Sequence, residues 1–102
     1  MKEVKLGKGR ILDEFKDYVK MYNQPYDIVN FIAVTNARLL CECSNGLSDD
    51  KQKEIVEFVS YFMQHYYSDK VMKAIEQNWP DGPLVFRMAA VIIADSINLT
   101  QF

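Results

Sequence analysis

"PYDIVNFIAVTNARLLCEC", residues 25–43, decides the fold, because it holds "FIAVT", the chain's nearest approach to a β-strand. Its apolar residues Ile28, Val29, Phe31, Ile32, Val34, Leu39 and Leu40 run well past the length of an ordinary strand and do not alternate strictly. Pro25 suits the first turn of a helix, while it disfavours helical geometry at Gln24. "SNG", residues 44–46, offers Gly46 as a C-terminal cap. The passage therefore reads as one helix with a broad apolar surface, and no strand is left in the chain.

Outward from it, the same period recurs on both sides. Ile11, Leu12, Phe15, Tyr18, Val19 and Tyr22 follow one helical face from Arg10 onward, with Asp13, Glu14, Lys16, Asp17 and Lys20 opposite, and "YNQPY" ends that helix. Ser48 is a natural N-cap for a third helix, with Asp49 and Asp50 placed to complement its dipole. That helix should bury Ile55, Val59, Phe62 and Tyr66, with Val56 and Met63 beside them, and kink or restart at "SDK", residues 68–70. A fourth segment carries Val71, Met72 and Ile75 to Trp79. "PDGP", residues 80–83, then breaks the chain before the most apolar helix, residues 84–99. At about 100 degrees per residue, Val85, Met88, Ala89, Ile92, Ile93, Ser96 and Ile97 share one wide face of it. Arg87, Ala90, Val91, Ala94, Asp95 and Asn98 form the narrow remainder, and so apolar a helix is expected at the centre of the fold. The fold class is all-α: a compact, single-domain bundle of four to five helices over residues 10–102, preceded by a flexible basic arm, residues 1–9.

A chain of 102 residues is one domain, and 49% hydrophobic with 25% charged residues is the composition of a folded protein rather than a disordered one. A net charge of -2 supplies no global attraction to phosphate backbones, so nucleic acid is not the default partner. The longest apolar run, residues 84–94, is interrupted by Arg87 and falls short of the roughly 20 residues a membrane-spanning helix needs. With no secretory pattern at the N-terminus, the expected location is the cytoplasm, away from membranes, with both cysteines reduced.

Candidate chemistry is sparse. Cys41 and Cys43 are two residues apart, which on a helix turns their thiols about 200 degrees away from each other. A zinc site would also need about two further ligands. With one histidine and no third cysteine, a structural role is the reading, and neither metal nor cofactor is expected. Glu54, Phe58, Tyr61, His65 and Asp69 follow one side of the third helix, and Asp69 four residues beyond His65 would raise its proton affinity. That dyad could serve a general base, but no nucleophile or paired acid accompanies it. Tyr61, Phe62, Tyr66 and Tyr67 surround His65, and geometry sends Tyr61 and Tyr67 to different sides from Phe62 and Tyr66, so part of this cluster should lie at a boundary or interface unless the bundle has a thick aromatic core. "GKGR" lacks full phosphate-loop spacing and follows no strand. Arg87 and Asp95 lie about two turns apart on the polar side of the last helix. They mark the solvent edge there, or a polar contact between subunits if that helix is wholly buried. The glycine-containing turn and basic recognition helix of a helix-turn-helix reader, an EF-hand loop, a 34-residue helical repeat and di-iron carboxylate-histidine motifs are all missing.

The expected function is that of a small, non-catalytic interaction protein, an adaptor, inhibitor or regulatory subunit. It would contact another protein through a helical, aromatic-rich face including Phe58, Tyr61, His65, Tyr67, Asp69 and Arg87. Apolar faces this wide in so short a chain also point to a homodimer, through the last helix or the Tyr61 and Tyr67 surface. One alternative is a small-molecule binder with an aromatic-lined pocket anchored by His65, Tyr66 or Arg87. The other is a nucleic-acid-associated regulator whose arm, Lys2, Lys5, Lys8 and Arg10, contacts phosphates.

Overall fold

Residues 25–42 are helical, with Cys43 as the cap, and the period of burial shows why. Phe31, Ile32 and Thr35 of "FIAVT" and its continuation point inward, whereas Ala33 and Val34 between them face out. The computed structural model describes the backbone of residues 10–100 and the side chains of residues 10–97. The basic arm expected over residues 1–9, with Lys2, Lys5 and Lys8, lies outside them. The described chain contains five helices and no strand: α1 (Ile11–Val19), α2 (Pro25–Glu42), α3 (Asp49–His65), α4 (Asp69–Asn78) and α5 (Leu84–Thr100). This is an all-α bundle.

Local chemistry sets most of the helix ends. Before α2, Gln24 and Asp27 form a reciprocal capping box, with Pro25 in the first turn. Ser48 accepts from the Lys51 backbone N–H at 3.2 Å to start α3, and Ser68 accepts from the Val71 N–H at 3.2 Å to start α4. That second cap settles the ambiguity at residues 68–70: the chain stops at Tyr66, the C-cap of α3, and begins a new helix. Gly82 takes a positive φ of 90° in the turn closed by its N–H on the Trp79 carbonyl, 2.9 Å away. Gly46 differs from expectation. Its φ is also positive, 106°, but Cys43 is the C-cap, and Gly46 closes a turn back to the Cys43 carbonyl at 3.1 Å.

Two helices are capped by side chains far away in sequence. Arg10 offers no side-chain cap to α1, and the buried Glu54 of α3 replaces it, accepting from the Ile11 N–H at 3.1 Å. Likewise the buried Asn36 of α2 accepts from the Val85 N–H at 2.9 Å at the start of α5. Each satisfies an orphan N–H inside the protein, where leaving it bare would cost about 1–3 kcal/mol.

One hydrophobic cluster takes residues from all five helices. α3 packs against α1 on one side and α5 on the other, while α2 packs against α4, α5 and α1. At the centre is Phe15 of α1, fully buried, with the rings of Phe31, Phe58 and Tyr66 each 5.1 Å away and those of Tyr61 and Phe62 slightly farther. This contact revises the inward face of α3. Its buried residues are Glu54, Ile55, Phe58 and Phe62, whereas Val59 and Tyr66 are half-buried and Met63 is exposed. The face is rotated toward Phe58 because α1 occupies that side. It also brings Tyr61 and Tyr66 together, 6.1 Å apart and both against the Phe15 ring, although bare helical geometry separates them.

α5 departs further from expectation. Val85 and Ala89 are buried and Ile92 is half-buried, but beyond it Ile93 is 43% exposed and Ser96 is exposed. The most apolar helix is therefore central only in its first two turns, because α2 and α3 cover no more of it.

Phe15→Ala should lower the free energy of unfolding in a urea titration by about 3–5 kcal/mol, the usual cost of emptying a buried aromatic site. Val34→Ala, on the exposed side of α2, should stay within about 0.5 kcal/mol of the wild type in the same titration.

Candidate functional site

One connected line of ion pairs runs across α1, α2 and α3. Arg38 donates to Glu14 Oε2 at 2.7 Å and to Glu42 Oε1 at 3.0 Å. Lys51 Nζ lies 2.9 Å from Glu42 Oε2 and 3.3 Å from Glu54 Oε2, and Glu54 in turn caps α1. Burial pushes the Glu42 carboxyl up, but the hydrogen bonds and charges of Lys51 and Arg38 outweigh it and hold the group below the usual carboxylate range. Burial likewise pulls Lys51 down, and its bonds to Glu42 and Glu54 leave it above its ordinary value. Glu14 Oε1 is buried with no hydrogen-bond partner among the described residues. The chemistry of this line is adhesion: Glu14 with Arg38 joins α1 to α2, Glu42 with Lys51 joins α2 to α3, and the remaining pairs lie within one helix.

The residues singled out by sequence are placed differently from one another. Phe58 is fully buried between Phe15, Phe31 and Phe62, so it serves the core rather than a contact surface. Tyr61 is half-buried, with the His65 ring stacked at 4.4 Å and Lys16 Nζ 5.0 Å from its centroid. Tyr67, Asp69 and Arg87 are exposed, and no polar or ring contact joins them to Tyr61 and His65 among the described residues. The His65 and Asp69 dyad depended on a continuous helix. The break at Tyr66 puts His65 at the end of α3 and Asp69 at the start of α4, and no ion pair joins them among the described residues. Arg10, read as part of a phosphate-contacting arm, instead pairs with Glu57 at 2.8 Å and Asp50 at 3.5 Å on α3.

Both cysteines are free thiols, Cys41 exposed and Cys43 packed at the edge of the core. Burial raises the Cys43 thiol above its ordinary pKa, with the Lys51 charge offsetting this in part, so less reactive thiolate is present. Among the described residues no three His, Cys, Asp or Glu side chains are grouped to hold a metal ion, and no helix is long and apolar enough to cross a membrane.

What the surface does carry is unpaired apolar area. Tyr26, Asn30, Ala33, Val34, Ala37, Leu40 and Cys41 fall within roughly 120 degrees of the α2 circumference. All seven are exposed, Tyr26 by 72% and Leu40 by 66%, and none is charged. Asp27, Arg38 and Glu42 stand outside this arc, Asp27 held by the capping box with Gln24, and Arg38 and Glu42 turned toward α1 and α3 by their bonds to Glu14 and Lys51. Sequence reading recognised α2 as broadly apolar without locating this stripe. The signal for it was the lack of charge at every third or fourth residue between Tyr26 and Cys41.

Compared with known proteins, the chain matches no protein-family model, and no curated protein or solved structure shows significant similarity to it.

The depressed Glu42 pKa has a consequence with a definite sign. A carboxyl whose pKa is lower folded than unfolded adds stability above its unfolded pKa, and that contribution is lost as pH falls through the folded value. Glu42→Gln should therefore be less stable than the wild type near neutral pH, by about 0.5–1 kcal/mol for a partly exposed group. The difference should close as both proteins are titrated by urea at progressively more acidic pH, below the usual carboxylate range.

Proposed function

We propose that this chain is a small interaction protein without catalytic activity of its own, an adaptor, inhibitor or regulatory subunit that docks onto another protein through the outer face of α2. The observation that carries the reading is the charge-free exposed stripe from Tyr26 to Cys41. A solvated helix face is normally rich in charge, and contiguous apolar surface rimmed by polar groups is characteristic of interaction sites. The fit is to a hydrophobic groove. Tyr26, Val34 and Leu40 recur about two turns apart, the anchor spacing by which a helix lies in such a groove. Tyr26 contributes a large ring with a polar tip at one end, of the kind favoured at binding surfaces. This moves the expected contact from the Tyr61 and Tyr67 region to α2, where the exposed apolar residues form one continuous line. Asp13, Lys16, Asp17 and Lys20, on α1 and its C-cap, are exposed too, but they alternate in charge as an ordinary solvated face does.

The variant Val34→Glu/Leu40→Glu tests it, because both side chains are exposed and their replacement should leave the circular dichroism spectrum and melting temperature near those of the wild type. Crosslinking in the cells that produce the protein, followed by quantitative mass spectrometry, should recover a partner whose yield falls by about tenfold or more in the variant. Equal recovery of the same proteins by both would remove the α2 face from the mechanism.

A further inference from the structure

The outer side of α5 has a pattern of its own. Leu84, Arg87, Met88, Val91, Ala94 and Asp95 fall within about 60 degrees of Val91 around the helix and so form one ridge. Arg87, Ala94 and Asp95 are exposed, Val91 is 60% exposed, and Leu84 and Met88 are half-buried where α5 meets the core. Arg87 and Asp95 form no ion pair among the described residues. They cannot satisfy each other within the helix either, since eight residues separate them by about 12 Å.

The ridge is symmetric about Val91. Arg87 and Asp95 stand four residues to either side with opposite charge, and Met88 and Ala94 stand three residues to either side, one large and one small. We infer that the outer face of α5 pairs antiparallel with the same face of a second copy of this chain, about a twofold axis at Val91. In that arrangement the Arg87 guanidinium of each copy faces the Asp95 carboxylate of the other.

Charge complementarity selects both the occupant and the direction. A twofold contact must be self-complementary, and a ridge with opposite charges equidistant from its centre meets that condition. Parallel pairing would set Arg87 against Arg87 and Asp95 against Asp95. Antiparallel pairing forms two opposite-charge contacts and opposes the helix dipoles. Met88 of each copy falls against Ala94 of the other, a large residue into the space left by a small one. Val91 meets Val91 on the axis, at the helix separation of roughly 8–10 Å that such residues allow. Helix axes at that spacing are within reach of an arginine side chain. The contact area is that of one helix pair, which places the dimer at the weak end of specific association, with a dissociation constant in the micromolar range.

This pairing rests on the reading that the exposed apolar faces of the chain are contact surfaces, and it assigns α5 to self-association while α2 remains for the partner. Sedimentation equilibrium on the full chain tests it. The wild type should dimerise. Arg87→Asp and Asp95→Arg should each weaken the dimer by about tenfold or more, since each replaces two attractive contacts with two repulsive ones. The double variant Arg87→Asp/Asp95→Arg should restore association to within about threefold of the wild type, a rescue that a merely structural role for either residue would not produce. Circular dichroism on each variant confirms that the bundle is intact. A monomeric wild type, or a dimer indifferent to both reversals, overturns the pairing. If the Val34→Glu/Leu40→Glu variant still loses its partner while the wild type is monomeric, the α5 inference fails and the α2 reading stands.

Discussion

Phe15 is the contact on which the bundle depends. α1 is only nine residues long, too short to be stable alone, and it persists because one ring from it enters a space walled by Phe31, Phe58, Phe62, Tyr61 and Tyr66. Those five residues come from α2, α3 and the cap of α3, so a single side chain ties the first half of the chain together. It also sets the rotation of α3. With α1 seated on its Phe58 side and α5 on the other, α3 turns a slightly different line inward from the one its strongest apolar residues suggest.

Polar groups do a complementary job at the seams. The buried Glu54 and Asn36 are poor candidates for burial on their own, yet each closes the N-terminus of a helix that has no adequate local cap. The charged line from Glu14 through Arg38, Glu42 and Lys51 to Glu54 extends the same role along the contact of α1, α2 and α3. Directional bonds of this kind add register to a core that is otherwise held by non-directional packing. They also give this cluster of ionisable groups the form of an adhesive strip along the helix contacts.

The surface follows from a shortage of layers. Five short helices cannot cover both sides of α2 or the far end of α5, so apolar residues of both are left facing outward. On α2 the residual face is a continuous uncharged stripe, and on α5 it is a ridge with charges placed evenly about its middle. The two faces differ in chemistry, and the two proposed contacts rest on that difference.

Much of the fold was legible in residue order because helix period and capping are local properties. The 3.6-residue spacing of Phe15 and its neighbours, Pro25 at a first turn, Ser48 as a cap and the break at residues 80–83 all act within a few residues of themselves. Glu54 and Asn36 were not legible as caps, since their partners are 43 and 49 residues away and nothing in their neighbourhood marks them. The same limit applied to the candidate surface. Phe58 and Tyr61 are equally aromatic in sequence, and only the arrival of α1 buried one and left the other at the edge. Residue order determined that α2 and α5 are apolar on more than one side. Which side meets the core was decided by tertiary packing, because burial depends on where four other helices come to rest.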